Sequence, residues 1–320
     1  YPFKEWTNRY DLENPQYIAL TLDSKNNANL FKIGSAINLE KKISEFLSEI
    51  KNFSNGEGSE DSAEYKLDEV SNLIFNDSLK IFIQNYKSVF ISADWALQRI
   101  PISTLRDPDN KNYLSEKILI TMIPSSRDLI QEKNIKINLN ESVIVANPDF
   151  NISNKDNNKI VLKDQIKRNK LRSKNLLAKK WNSMLGFEIE GKKIYSIIGG
   201  ELITKKKATA EYLKRLNSPK ILHIASHGFY YNYDEDDKNP LKRSGVVLAG
   251  ANNSNSKSND DGYLTALEFI NMNLQGTELV VISACESGIG DLRFNEGLNG
   301  LRRAISVSGA KSSLLSLWKV

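Results

Sequence analysis

Two short apolar runs constrain this chain more than any other feature. Ile221-Leu222-His223-Ile224-Ala225 is followed by Ser226-His227-Gly228, and Leu279-Val280-Val281-Ile282-Ser283-Ala284 is followed by Cys285-Glu286-Ser287-Gly288. Each run passes through small residues to a reactive side chain with a glycine close behind. Cys285 is the only cysteine in the chain, and His227 is one of two histidines. Runs this short and this rich in β-branched residues read as buried strands of a parallel sheet. In open α/β sheets the ligand crevice lies beyond the carboxyl ends of such strands. A histidine and a cysteine brought to that edge by separate strands are a candidate base and nucleophile.

The remaining sequence alternates between the same two patterns. Tyr17–Leu22 and Asn29–Gly34 read as a hairpin. Leu39, Ile43, Phe46, Leu47 and Ile50 make a helical stripe behind Asn38 as N-cap. A second helix is expected over residues 65–79, followed by strands at Lys87–Ser92, Lys117–Met122 and Glu141–Pro148, with Ser125 or Ser126 capping a short helix between the last two. Residues 151–180 are strongly basic and read as a solvated helix with a flexible loop rather than a dedicated anion-binding patch. Helix over 208–216, the His227 strand, strand Gly245–Ala249, the Cys285 strand, helix over 295–308 and a last strand complete the order. Thr265 with Glu268 three residues on is a capping-box signature. No internal repeat is visible. Strand and helix alternating in this way predict an α/β fold, a mostly parallel sheet with helices on both faces.

Composition narrows the class. At 320 residues the chain has room for two domains of roughly 100–200 residues each. A net charge of +5 is modest for this size, so nucleic acid is expected as a partner only indirectly if at all. One cysteine excludes an internal disulfide framework and fits a reducing cytoplasm. It also excludes a cysteine-rich zinc site, and no metal or cofactor is expected. No apolar stretch reaches the ~18 residues of a spanning helix, so no membrane role is expected. The chain starts without methionine and stops at Val320 inside a strand-like run, so it reads as a fragment that was cut or processed.

Five ordered blocks resemble one family. They are Ile221–Gly228; Asp261–Glu268; Val281–Gly290; Asn295-Glu296-Gly297-Leu298; and Gly309–Trp318. Fainter matches lie at Ile100-Pro101-Ile102 and Ile144–Asp149. Together they resemble the CHAT domain, a branch of the caspase-like cysteine peptidases (clan CD) that includes caspases, separase and gingipains. The resemblance implies a caspase-like three-layer sandwich preceded by a smaller α/β, pseudo-caspase-like portion. Residues 1–64 are then an N-terminal strand and helix segment, 65–150 the N-terminal half of the CHAT domain, 151–200 a basic linker or helical insertion, and 201–320 the catalytic half. Members of this family usually continue past the tryptophan strand, so the catalytic half reads as truncated.

The resemblance also implies His227 as base, Cys285 as nucleophile, and the backbone N–H groups of Gly228 and Cys285 as the oxyanion hole. Cys285 follows His227 by 58 residues (227 to 285), near the ~50 residues that separate the pair in caspases. No aspartate is placed to orient the imidazole, which leaves that task to a backbone carbonyl. His223, inside the apolar run, reads as a packed, hydrogen-bonded core residue. Glu286 and Asp291 read either as surface acids or as parts of a specificity pocket, with Asp94 at another strand end; an acidic pocket would select Arg or Lys before the scissile bond. Trp318 closes the strand that runs beside substrate in this family's geometry. The loops 230–239 and 251–262 are expected to order on activation.

The leading expectation is a regulated cysteine endopeptidase that cleaves a protein partner. An upstream sensor or fused TPR-type repeats would activate it, in bacterial defence or stress signalling. The alternative from another class is a catalytically silent CHAT-like scaffold. A redox sensor is weaker, since no second cysteine exists to resolve a sulfenic acid.

Overall fold

The computed structural model describes residues 14–129, 140–152, 179–231, 239–253, 260–284, 290–293 and 297–317. The chain forms two compact units, Tyr1–Ile130 and Gln131–Val320.

In the first unit, strands β1 (Gln16–Leu22) and β2 (Ala28–Ser35) form an antiparallel hairpin. Helices α1 (Ala36–Ser54), α2 (Glu60–Ile74) and α3 (Asp77–Gln84) follow. Strands β3 (Ser88–Ile91) and β4 (Leu119–Met122) then pair in parallel as a separate two-stranded sheet. Leu39, Ile43 and Phe46 of α1, Leu67, Val70 and Ile74 of α2, and Leu79 and Ile83 of α3 share one core. Two boundaries differ from the sequence expectation. The Ser35 hydroxyl, not Asn38, caps α1 by accepting from the Asn38 N–H at 3.4 Å. The single helix expected over 65–79 is two, because the Asn76 side chain accepts from the Leu79 N–H and starts α3 afresh.

The second unit is built on a five-stranded parallel sheet made of β5 (Val143–Pro148), β6 (Glu201–Lys205), β7 (Ile221–Ala225), β11 (Leu279–Ser283) and β14 (Ser313–Leu315). Its order is β14-β11-β7-β5-β6, and every pairing is parallel. A smaller antiparallel sheet joins β8 (Gly228–Tyr230), β9 (Ser244–Val247) and β10 (Tyr263–Thr265). Strands β12 (Gly290–Arg293) and β13 (Gly297–Gly300) pair with each other. The helix expected from Asn295 therefore begins only at Leu301, as α7 (Leu301–Val307).

The parallel sheet has helices on both faces, so the expected sandwich is borne out. Val143, Val145, Leu222, Ile224, Val280 and Ile282 point to one face. There they pack with α5 (Ala210–Lys214), α6 (Ala266–Phe269) and α7. Burying a Leu or Ile of this kind contributes about 1.5–3 kcal/mol. The Thr265–Glu268 capping box starts α6 as its sequence announces. The opposite face is covered by α4 (Leu185–Ile198), which lies inside the 151–200 stretch given as a basic linker or helical insertion but whose bounds no apolar stripe marked. Among the described residues, no helix is long and apolar enough to cross a membrane.

Helix α4 sits close because Gly191 has no side chain. A Cβ there would lie 2.3 Å from the Cβ of Ala146 on β5. Gly191→Ala should therefore destabilise the unit by about 1–3 kcal/mol through overpacking, although alanine is the better helix former. Urea denaturation with an unchanged m-value would report this; a gain in stability would mean that α4 packs more loosely.

Candidate active site

The corner between the two sheets of the second unit is Ser226-His227. Strand β7 ends at Ala225 and β8 begins at Gly228, so the chain leaves the parallel sheet and enters the antiparallel one within two residues. Ser226 pins the corner: its hydroxyl donates to the Val247 carbonyl at 2.5 Å, and its N–H donates to the Ser283 carbonyl at 3.3 Å. The Val247 N–H donates to the His227 carbonyl at 2.9 Å. Antiparallel ladders alternate between bonded and non-bonded pairs. With His227 bonded to β9, the next pair, Gly228 opposite Val246, is the non-bonded kind. The Gly228 N–H therefore points away from β9.

The imidazole of His227 sits among three aromatic rings. Centroid distances are 5.3 Å to Phe150, 5.3 Å to Trp181 and 5.0 Å to Phe187, the last edge-on. Its Nε2 lies 2.7 Å from the backbone carbonyl oxygen of Asn182. A carbonyl only accepts, so Nε2 carries the proton in the neutral ring and Nδ1 keeps the basic lone pair. The sequence expectation that a carbonyl orients the imidazole thus finds a specific partner.

That carbonyl belongs to a segment anchored on all sides. The Trp181 N–H donates to Asn252 Oδ1 at 2.8 Å, and Asn252 Nδ2 donates back to the Trp181 carbonyl at 2.8 Å. The Trp181 indole N–H donates to the Tyr263 hydroxyl at 3.0 Å, and Ser183 donates to Asn147 Oδ1 at 2.6 Å. Trp181 is only 3% exposed, the depth expected of an anchor. Lys179 places its ammonium 4.3 Å over the Trp181 ring, a cation–π contact. Burial holds the His227 ring below the ordinary histidine value. The Asn182 carbonyl works against that shift, and the Lys179 charge adds to it. Both lowering effects favour a neutral imidazole near pH 7.

The second reactive residue follows β11. Strand β7 pairs with β11 from Ile221–Leu279 to Ala225–Ser283. In sequence, His227 comes two residues after Ala225 and Cys285 two residues after Ser283, so the register gives both the same offset. Cys285, Glu286 and Trp318 themselves lie outside the described residues, as do residues 232–238 and 254–259 of the two loops and residues 153–178 of the basic segment. Asp291 is described by its backbone, in β12 opposite Asn299. Asp94 lies in the first unit, exposed, where its carboxylate accepts from the Trp95 N–H at 2.8 Å and caps a 3-10 turn. His223 is buried, with Nε2 2.9 Å from Glu190 Oε1.

The CHAT-domain family model matches residues 67–320. The chain belongs to the CHAT-domain family. CHAT domains belong to the caspase-like, cysteine-peptidase-related group, and the flanked parallel sheet agrees with that membership. No curated protein matches the chain. Within this CHAT domain the sequence reading missed Phe150, Trp181, Asn182 and Phe187. One signal was available: Trp181 is a lone tryptophan in a basic, polar stretch that otherwise had no reason to be buried.

With only two histidines, proton NMR can follow His227 directly, using His223→Gln for assignment. The ring should titrate below 6.5. Lys179→Gln removes a repelling cation and should move that titration to higher pH; an unchanged midpoint would show that Lys179 has no influence on the ring. A histidine whose folded pKa is depressed stabilises the fold while neutral. Its contribution should therefore be lost as pH falls below the unfolded value near 6.5.

Proposed function

We propose that this CHAT domain is a cysteine endopeptidase that cleaves a protein partner through His227 and Cys285. The observation that carries the reading is the state of His227. It is neutral, partly buried and hydrogen-bonded through Nε2 to the Asn182 carbonyl, with Nδ1 left as a base at the end of the strand that pairs with the Cys285 strand.

The chemistry follows. His227 Nδ1 takes the thiol proton as the Cys285 sulfur attacks the scissile carbonyl carbon. The negative charge that moves onto the carbonyl oxygen is met by the N–H groups of Gly228 and Cys285. The Asn182 carbonyl favours the imidazolium formed at this step, because it accepts from the opposite nitrogen. The tetrahedral species collapses by breaking the C–N bond, and His227 returns its proton to the departing amine. Water, deprotonated by the same nitrogen, then attacks the thioester and releases the acid and the thiol.

Glu286 and Asp291, close to the nucleophile in sequence, favour Arg or Lys before the scissile bond, with Trp318 a candidate wall beside the substrate strand. Activation by an upstream sensor or TPR-type repeats, and work in bacterial defence or stress signalling, complete the proposal by analogy with the family.

A peptide library varied at the position before the scissile bond tests this, using the longest form of the protein with and without a candidate activator. Cleavage after basic residues is expected. Cys285→Ala and His227→Ala should each lower it by roughly a thousandfold or more. Cleavage after Asp or apolar residues would sink the acidic pocket alone. Absence of cleavage, with a Cys285 that resists iodoacetamide until unfolding, would favour the scaffold.

A further inference from the structure

Beneath the His227 corner, a second set of side chains joins the same two strands. Glu190 on α4 reaches the sheet with both carboxylate oxygens in use. Oε1 lies 2.9 Å from Nε2 of His223 on β7, and Oε2 accepts from the Ser283 hydroxyl on β11 at 2.9 Å. Register explains how one carboxylate meets both. His223 pairs with Val281 and Ala225 with Ser283, so His223 and Ser283 point to the same face, the one that α4 covers. The close approach allowed by Gly191, the next residue, brings Glu190 within reach.

The place of this bridge matters. Ser283 is the last β11 residue paired with β7, and Cys285 follows it by two residues. His223 lies four residues before His227. Just beyond the paired segment, the Ser226 N–H donates to the Ser283 carbonyl at 3.3 Å. Two residues beyond Ala225 and Ser283, each strand carries one half of the reactive pair. Burial pushes the Glu190 carboxyl up, but the hydrogen bonds from His223 and Ser283 outweigh it and keep the group in its charged, doubly accepting form.

We propose that Glu190 is a positioning residue. By bridging His223 and Ser283 it holds the ends of β7 and β11 at the spacing that lets His227 and Cys285 act as a pair. This rests on the endopeptidase reading above, and it assigns Glu190 no contact with substrate. A displacement of about 1 Å between reacting groups costs on the order of a hundredfold in rate, so a loosened clamp is visible in chemistry before it is visible in folding.

The test is the rate of Cys285 alkylation by iodoacetamide against pH, which needs no substrate. It would be measured on the purified protein alongside its melting temperature. Wild type should react near neutral pH in a His227-dependent way. Glu190→Ala should react about tenfold or more slowly at pH 7, and the pH at which the thiol becomes reactive should rise toward the free-cysteine value near 8.5. Ser283→Ala, which removes one arm and little else, should shift both in the same direction by less. Glu190→Gln can still accept from His223 and donate to the Ser283 oxygen, so it should stay within about threefold of wild type. Leu213→Ala, buried against the other face of the sheet, should lower the melting temperature without moving the profile.

Wild-type profiles for both Glu190→Ala and Ser283→Ala would overturn the proposal while leaving the endopeptidase reading standing. So would a Glu190→Gln loss as deep as that of alanine, or a Leu213→Ala profile displaced as far. Alkylation of wild type that ignores His227→Ala would overturn the endopeptidase reading, and the role of Glu190 with it.

Discussion

Five residues of β7 lie in parallel register with five of β11, from Ile221 beside Leu279 to Ala225 beside Ser283. The candidate chemistry depends on that register. It sets equal offsets for His227 and Cys285 beyond the paired segment, and a slip of one residue would move one of them by about 3.3 Å and turn its strand over. What prevents the slip is burial on one face. Leu222, Ile224, Val280 and Ile282 all enter a core shared with three helices, and their partners on β11 and β7 cannot change faces without exposing it.

Around that register, the site relies on backbone more than on side chains. The imidazole is oriented by a main-chain carbonyl, and the adjacent N–H that faces away from β9 is also main chain. Such groups cannot be lost by substitution, so their placement is delegated to anchors. Asn147, Asn252 and Tyr263 hold the Asn182 segment from three separate parts of the chain. The aromatic rings that pack on His227 also remove water from it, which depresses its basicity and keeps the ring neutral. One cluster thus serves packing, orientation and protonation together.

Where the sequence expectation and the structure part, the reasons are local competition and distant packing. Asn38 and Ser35 both suit an N-cap, and the nearer strand end decided for Ser35. Asn76 interrupts a stripe that is otherwise continuous in apolar spacing, because its side chain satisfies a backbone N–H that a longer helix would have satisfied itself. Gly297–Gly300 reads as the lead-in to a helix, yet it pairs with Gly290–Arg293, and strand pairing is not encoded in helical periodicity. The bounds of helix α4 within the 151–200 stretch were not legible because it buries little beyond Gly191 and leaves Leu185, Ile189 and Ile197 exposed, so its apolar spacing does not resemble a core stripe.

The amino-acid sequence by itself determined the α/β class, the strands that end near His227 and Cys285, the Thr265 cap and the family, because each is carried by neighbours in the chain: period, capping chemistry and ordered motifs. The tertiary structure decided what surrounds His227, the bridge from Glu190 to two strands, and the division into two units. Asn182 is 45 residues from His227, and Glu190 is 93 from Ser283. Contacts at such separations arise from how layers stack, and no local pattern in either segment specifies them.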